Sequence, residues 1–190
     1  MAKVAMILAG MFEDSEFRQP FDTLREAGHQ VVVIGSEAHQ PLKGKKGLET
    51  ITPEVSIAEA SADDFDALVI PGGYSPDHLR MDPKMVAFTR DLFEAGKPLA
   101  AVCHAGWMLA EAGIAEGRKL TSWPSIKTDL INAGARWVDQ EVVEDGNLIT
   151  SRNPGDLPAF SAAILRQLEG TIPARAGGPD ASESTSSSPP

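Results

Sequence analysis

The feature that most constrains this chain is an alternation of two kinds of segment. Short apolar runs at Val4–Ala9, Gln30–Gly35, Asp66–Ile70 and Leu99–Val102 take turns with longer stretches of helical period. A strand that is apolar throughout has no solvated face, so such runs belong in a parallel sheet covered on both sides. The intervening helices are expected at Ser15–Ala27, Pro83–Ala95, His104–Ala112, Ser125–Ala133 and Asp156–Leu168. Gly28, Gly96, Gly113 and Gly134 stand where the first four must stop, and Pro83 opens the second. Right-handed crossovers then give an α/β, flavodoxin-like, doubly wound and mainly parallel sheet with helices on both faces. Asp145-Gly146 between two β-rich runs, Glu141–Glu144 and Asn147–Ser151, predicts a hairpin. Residues 36–65 are less regular and are expected to hold a small hairpin and a short helix.

A chain of 190 residues suits one domain. Residues 1–170 are assigned to it. Residues 171–190, rich in Pro, Gly and Ser, bury too little apolar surface to offset their ordering entropy and are expected as a flexible tail. No apolar run approaches the ~20 residues of a membrane span, so no membrane partner is expected. The first apolar run is soon followed by Glu13, Asp14 and Glu16, which suits a first strand better than a leader. The formal net charge is -10, and nucleic acid is not expected as a partner because no basic cluster offsets phosphates. Lys43, Lys45 and Lys46 read as a solvated turn. One cysteine excludes an internal disulfide and fits the reducing cytoplasm.

Ligands of open α/β sheets bind beyond the carboxyl ends of the strands. Three such ends carry unusual residues: Met11–Glu16 after the first run, Pro71–Tyr74 after the third, and Cys103-His104 after the fourth. Cys103 has small residues two places before and after it, as in a nucleophile elbow. At a helix N-terminus the dipole and free amides favour thiolate, and lowering the thiol pKa by about two units needs about 2.7 kcal/mol. His104 is the obvious base, although adjacent side chains on a tight turn usually diverge; it acts through its imidazole or its backbone N–H. Glu16 can reach the thiol from the first strand's loop, where the pair would share a proton or keep the acid protonated. From position alone, Glu13 and Glu16 serve equally well as first-turn acids that complement the dipole. Gly72 and Gly73 permit close approach and are expected to turn amides toward Cys103 as an oxyanion hole.

Other chemistries fit less well. A phosphate loop after the first strand would want G-x-G-x-x-G, whereas Gly10 is followed by acids. His29, His39, His78 and His104 have no zinc spacing, so neither metal nor cofactor is expected. Glutamine amidotransferases place a cysteine on a similar elbow, but their histidine follows it late in the chain, and no histidine follows His104.

Four stretches in order carry a family resemblance: Phe12-Glu13-Asp14-x-Glu16, Asp66–Gly73, Ala101-Val102-Cys103-His104, and Thr121–Gly134 with Trp123, Ser125 and Asp129 inside it. Over roughly residues 3–168 the chain resembles the PfpI intracellular protease family, in the superfamily of the Parkinson-disease-associated protein deglycase. The resemblance implies Cys103 as nucleophile, Glu16 as the acid bonded to its sulfur, and His104 as the base. It implies that Asp77 completes the arrangement in a neighbouring subunit's site, making the protein a homodimer or higher oligomer. Glu13 and Trp123 match pocket-lining positions. Archetypal proteases of the family carry Glu at the position of Asp77, often Gly at that of Ala105, and Tyr at that of Trp123. These departures weigh against peptide hydrolysis, because proton delivery to a leaving amine is geometrically demanding.

The function expected is therefore a cysteine-dependent, stress-protective hydrolase: peptidase-like, glyoxalase or protein deglycase. Its substrates would be a small aldehyde, a glycated adduct or a peptide. The alternative is a redox-responsive stress protein or chaperone whose thiol stops at the sulfenic or sulfinic stage.

Overall fold

The computed structural model describes residues 1–171, the last of them by its backbone alone. The strands are β1 (Lys3–Ile7), β2 (Gln30–Gly35), β3 (Leu42–Lys43), β4 (Thr50–Ile51), β5 (Val55–Ser56), β6 (Ala67–Ile70), β7 (Leu99–Val102), β8 (Lys119–Leu120), β9 (Arg136–Trp137), β10 (Val142–Asp145) and β11 (Leu148–Ser151). The helices are α1 (Asp14–Glu26), α2 (Ser75–Leu79), α3 (Pro83–Glu94), α4 (Gly106–Glu111), α5 (Lys127–Asn132) and α6 (Leu157–Thr171). Thr171, expected in the tail, closes α6; the rest of that expected tail lies outside the described residues.

The sheet order is β10-β11-β7-β6-β1-β2-β5. Every pairing in it is parallel except the hairpin β10–β11. Because successive strand side chains point to opposite faces, the sheet builds two cores. Ala5, Ile7, Leu68, Ile70, Leu99 and Ala101 face one side and meet Met85, Phe88 and Leu92 of α3 and Met108 and Leu109 of α4. Val4, Met6, Val69, Ala100 and Val102 face the other and meet Phe17 and Leu24 of α1 and Phe160, Ile164 and Leu168 of α6. This is the doubly wound layout that the apolar runs predicted.

Helices α1 and α3 lie within a residue of their expected bounds, and Gly28 and Gly96 take positive φ just beyond them. Residues 36–65 hold the hairpin β3–β4, the strand β5 and a 3-10 turn at Ala62–Asp64. The helix expected from His104 instead starts as a 3-10 turn over Cys103–Ala105 before α4. Helix α2 and the small β8–β9 ladder went unforeseen. No helix among the described residues is long and apolar enough to cross a membrane.

Candidate active site

The carboxyl ends of β1, β6 and β7 converge. Phe12 bridges Gly73, Glu13 N–H donates to Gly72 O at 3.2 Å, and Tyr74 N–H donates to Met11 O at 2.8 Å. Cys103 follows β7 directly, with φ 62. An L residue with a side chain reaches this left-handed region only under strain, and the small neighbours Ala101 and Ala105 leave room for the bend.

Cys103 is 8% exposed. It faces Glu16, the imidazole of His104, and the backbone N–H groups of Gly73 and His104. His104 Nδ1 stands 3.2 Å from Sγ, so the adjacent side chains converge where divergence was expected. The ring is held from its far side, where Nε2 lies 3.2 Å from Ser125 Oγ. Trp107 packs with its ring centroid 5.1 Å from the imidazole.

Glu16 is fully buried, which removes it from the class of ordinary first-turn acids. Gly72 N–H donates to its Oε2 at 2.9 Å, and Oε1 has no hydrogen-bond partner. The amide of Gly72 is therefore committed to Glu16. The expected oxyanion hole is corrected: Gly73 and His104, not Gly72, offer N–H groups at the sulfur. Gly72 serves by lacking a side chain, since a Cβ there would lie 2.6 Å from Cys103 Cβ and overlap Glu16 Oε2.

Burial, reinforced by the charge of Glu13, pushes the Glu16 carboxyl up to about 8. Burial and the charge of Glu16 push the Cys103 thiol up to about 12, against the pull of the Gly73 and His104 amides. Desolvation thus opposes the helix-start amides at the sulfur. At neutral pH Glu16 keeps its proton. Burial, with Lys45 adding to it, holds His104 below the usual imidazole value, and Asp77 opposes them. His104 is thus neutral and able to accept the thiol proton through Nδ1.

Glu13 is also buried, but it is ionised. Burial raises its carboxyl, and two ammonium groups outweigh that and hold it below the usual carboxylate range. Lys45 Nζ lies 2.6 Å from Oε2 and Lys46 Nζ 2.7 Å from Oε1. The lysines read as a solvated turn are corrected accordingly: Lys45 and Lys46 both pair with Glu13, and Lys43 forms part of β3.

Trp123 is 41% exposed and is tied to the elbow by its N–H, which donates to Cys103 O at 3.2 Å. Asp77 sits on α2, where Arg80 Nε donates to its Oδ1 at 2.9 Å. Within one chain it does not bond His104, whose two ring nitrogens face Cys103 and Ser125. The residues missed in the sequence are Ser125, Lys45 and Lys46. Ser125 carried a usable signal, lying in the same motif as Trp123; the lysines carried none, because their partner is more than thirty residues away.

The DJ-1/PfpI family model matches residues 2–167. Protein/nucleic acid deglycase 2 of Escherichia coli is 49% identical over 167 residues, covering 87% of this chain and 97% of that protein. General stress protein 18 of Bacillus subtilis is 45% identical over 168 residues, covering 88% and 98%. A solved two-domain protein of Anabaena variabilis, with DJ-1/ThiJ/PfpI-like and ferritin-like domains, is 42% identical with a TM-score of 0.88. It is covered over 52% of its length and covers 93% of this chain, so this chain spans about half of it. The name of the Escherichia coli relative runs against the expectation that nucleic acid is no partner.

Proposed function

The chain belongs to the DJ-1/PfpI family, and on that premise we propose that it is a cysteine-dependent deglycase, clearing carbonyl adducts from amines and thiols of proteins and nucleotides. The observation that carries the reading is the strained Cys103, φ 62, whose sulfur lies 3.2 Å from a neutral imidazole. The adduct's carbinol collapses: its O–H electron pair forms C=O as the bond to nitrogen or sulfur breaks, and the carbinol proton leaves with the amine or thiol. Sγ adds to the aldehyde carbon so formed, its proton passing to His104 Nδ1 and from there to the oxygen, which gives a hemithioacetal. A shift of hydrogen from that carbon to the adjoining carbonyl turns it into a thioester, and water then breaks the S–C bond, releasing a 2-hydroxy acid and restoring the thiol.

Peptide hydrolysis fits less well, because Trp123 lacks the hydroxyl of the archetypal proteases. Free small aldehydes share the adduct's carbonyl, so a glyoxalase activity is an extension of the same step. The reading places the protein in the cytoplasm as a homo-oligomer, with Asp77 of one subunit reaching the other's His104 in place of Ser125. The test is turnover of methylglyoxal-treated N-acetyl-lysine, N-acetyl-cysteine and guanosine by wild type and Cys103→Ser. Wild type is expected to clear the adducts and the variant to fall to background; equal rates would refute the reading.

The unpartnered Glu16 Oε1 supports a second reading. A protonated carboxyl beside the sulfur would hydrogen-bond a sulfinate and halt oxidation there. Peroxide treatment that adds oxygen to Cys103, with no adduct turnover in the untreated protein, would favour this redox role. A holdase activity would survive Cys103→Ser.

A further inference from the structure

Asp14 is buried and lies outside the chemistry described above. Its carboxylate accepts three backbone N–H groups of one loop, at 2.9 Å each: Lys46 on Oδ2, and Leu48 and Glu49 on Oδ1. Those bonds outweigh burial and hold it ionised, below the usual carboxylate range. The same loop is tied at two further points. Lys45 N–H donates to Phe12 O at 2.8 Å, and Arg18 grips Glu49 with Nε at 2.9 Å and Nη2 at 2.6 Å. Gly44 lies so close to the Asp14 carboxylate that a Cβ there would overlap it.

The loop delivers one thing to the site: the ammonium groups of Lys45 and Lys46, both on Glu13. A lysine side chain carries about 2 kcal/mol of rotamer entropy, so its place at a site mouth depends on how firmly its backbone is held. We propose that Asp14 is a positioning residue that acts through Lys45: it fixes the Gly44–Glu49 loop so that the Lys45 ammonium is held on the buried Glu13, at the edge of the site, and favours negative charge at the sulfur. The ammonium of Lys45 pairs with Glu13, which it shares with Lys46, and its charge is felt by Glu16, Cys103 and His104, while Asp14 and Glu49 hold the backbone of its loop. The field felt at the site agrees with this placement. Lys45 lowers His104 and Glu16, and is itself raised by Glu13 first and then by Cys103 and Glu16.

This proposal rests on Cys103 being the reactive group but not on any particular substrate. Its test uses the full chain and two readouts that need no turnover: the imidazole titration of His104 by NMR, and the rate of Cys103 alkylation by iodoacetamide at pH 7. In Lys45→Met, which replaces a side chain about a third exposed, His104 should titrate closer to 6.5 and alkylation should slow several-fold. Asp14→Asn should move both readouts in the same direction. The double variant should go no further than Lys45→Met, since two residues acting through one contact are not additive. Should Asp14→Asn fail to fold, Gly44→Ala presses the same anchor and carries the same expectation. The proposal is overturned if Lys45→Met leaves both readouts at wild type. It is equally overturned if Asp14→Asn or Gly44→Ala lowers Tm while both readouts stay put. A wild type that alkylates normally but clears no adduct would sink the deglycase reading and leave this one standing.

Discussion

Replacing Glu16 by Gln should stabilise the protein far more at pH 8 than at pH 5. The folded carboxyl titrates at about 8, against 4.5 in the unfolded chain. For an acid raised by folding, the unfolded state loses its proton first. Stability contributed by the neutral form is complete below pH 4.5 and is drained as pH rises toward 8. At about 1.36 kcal/mol per pKa unit, a gap of about 3.5 implies a loss of about 3 kcal/mol by pH 7 and about 4 kcal/mol by pH 8. Gln resembles the protonated acid in shape, keeps a carbonyl for Gly72 N–H, and cannot ionise. Urea unfolding of both proteins at pH 5, 6, 7 and 8 isolates the effect, because Glu13, Asp14 and the surface groups are common to both. The difference in unfolding free energy should climb across that range in favour of the variant. A difference that stays flat would refute a neutral Glu16, and with it the proton arrangement derived for the site.

Two further outcomes follow from the backbone. Cys103→Gly should be more stable than Cys103→Ala by about 1 kcal/mol, reversing the usual order, because glycine adopts φ 62 without strain; thermal unfolding of the pair checks this. Gly72→Ala should cost roughly 2–3 kcal/mol and greatly slow Cys103 alkylation, since the added methyl displaces Cys103 Cβ and the Glu16 carboxyl together.

Much of the fold was legible in the sequence because the strands are buried on both faces and so read as unbroken apolar runs. Gln30–Gly35 and Leu99–Val102 fall on their expected bounds. Helix α2 was missed because it is short, Ser75–Leu79, and follows within two residues of the Pro-Gly-Gly turn. At the site, the elbow was readable from Ala101 and Ala105, which flank Cys103. Proton positions were not. They depend on complete burial of Glu16, with Gly72 closing over it, and on Lys45 arriving from a hairpin. Ser125 was visible as part of a motif, but its grip on His104 Nε2 depends on Trp123 N–H docking the following turn onto Cys103 O.

The hairpin β3–β4 forms its own two-stranded ladder, separate from the seven-stranded sheet. Its strands rest on one core through Leu42 and Ile51, and its tip is pinned by Asp14 and Arg18 rather than by a neighbouring strand. A change of residue at an exposed position of that tip alters the charge presented at the rim without touching the sheet, whereas a change of its length must break those anchors. Tolerance to substitution and intolerance to insertion therefore sit side by side in one short turn.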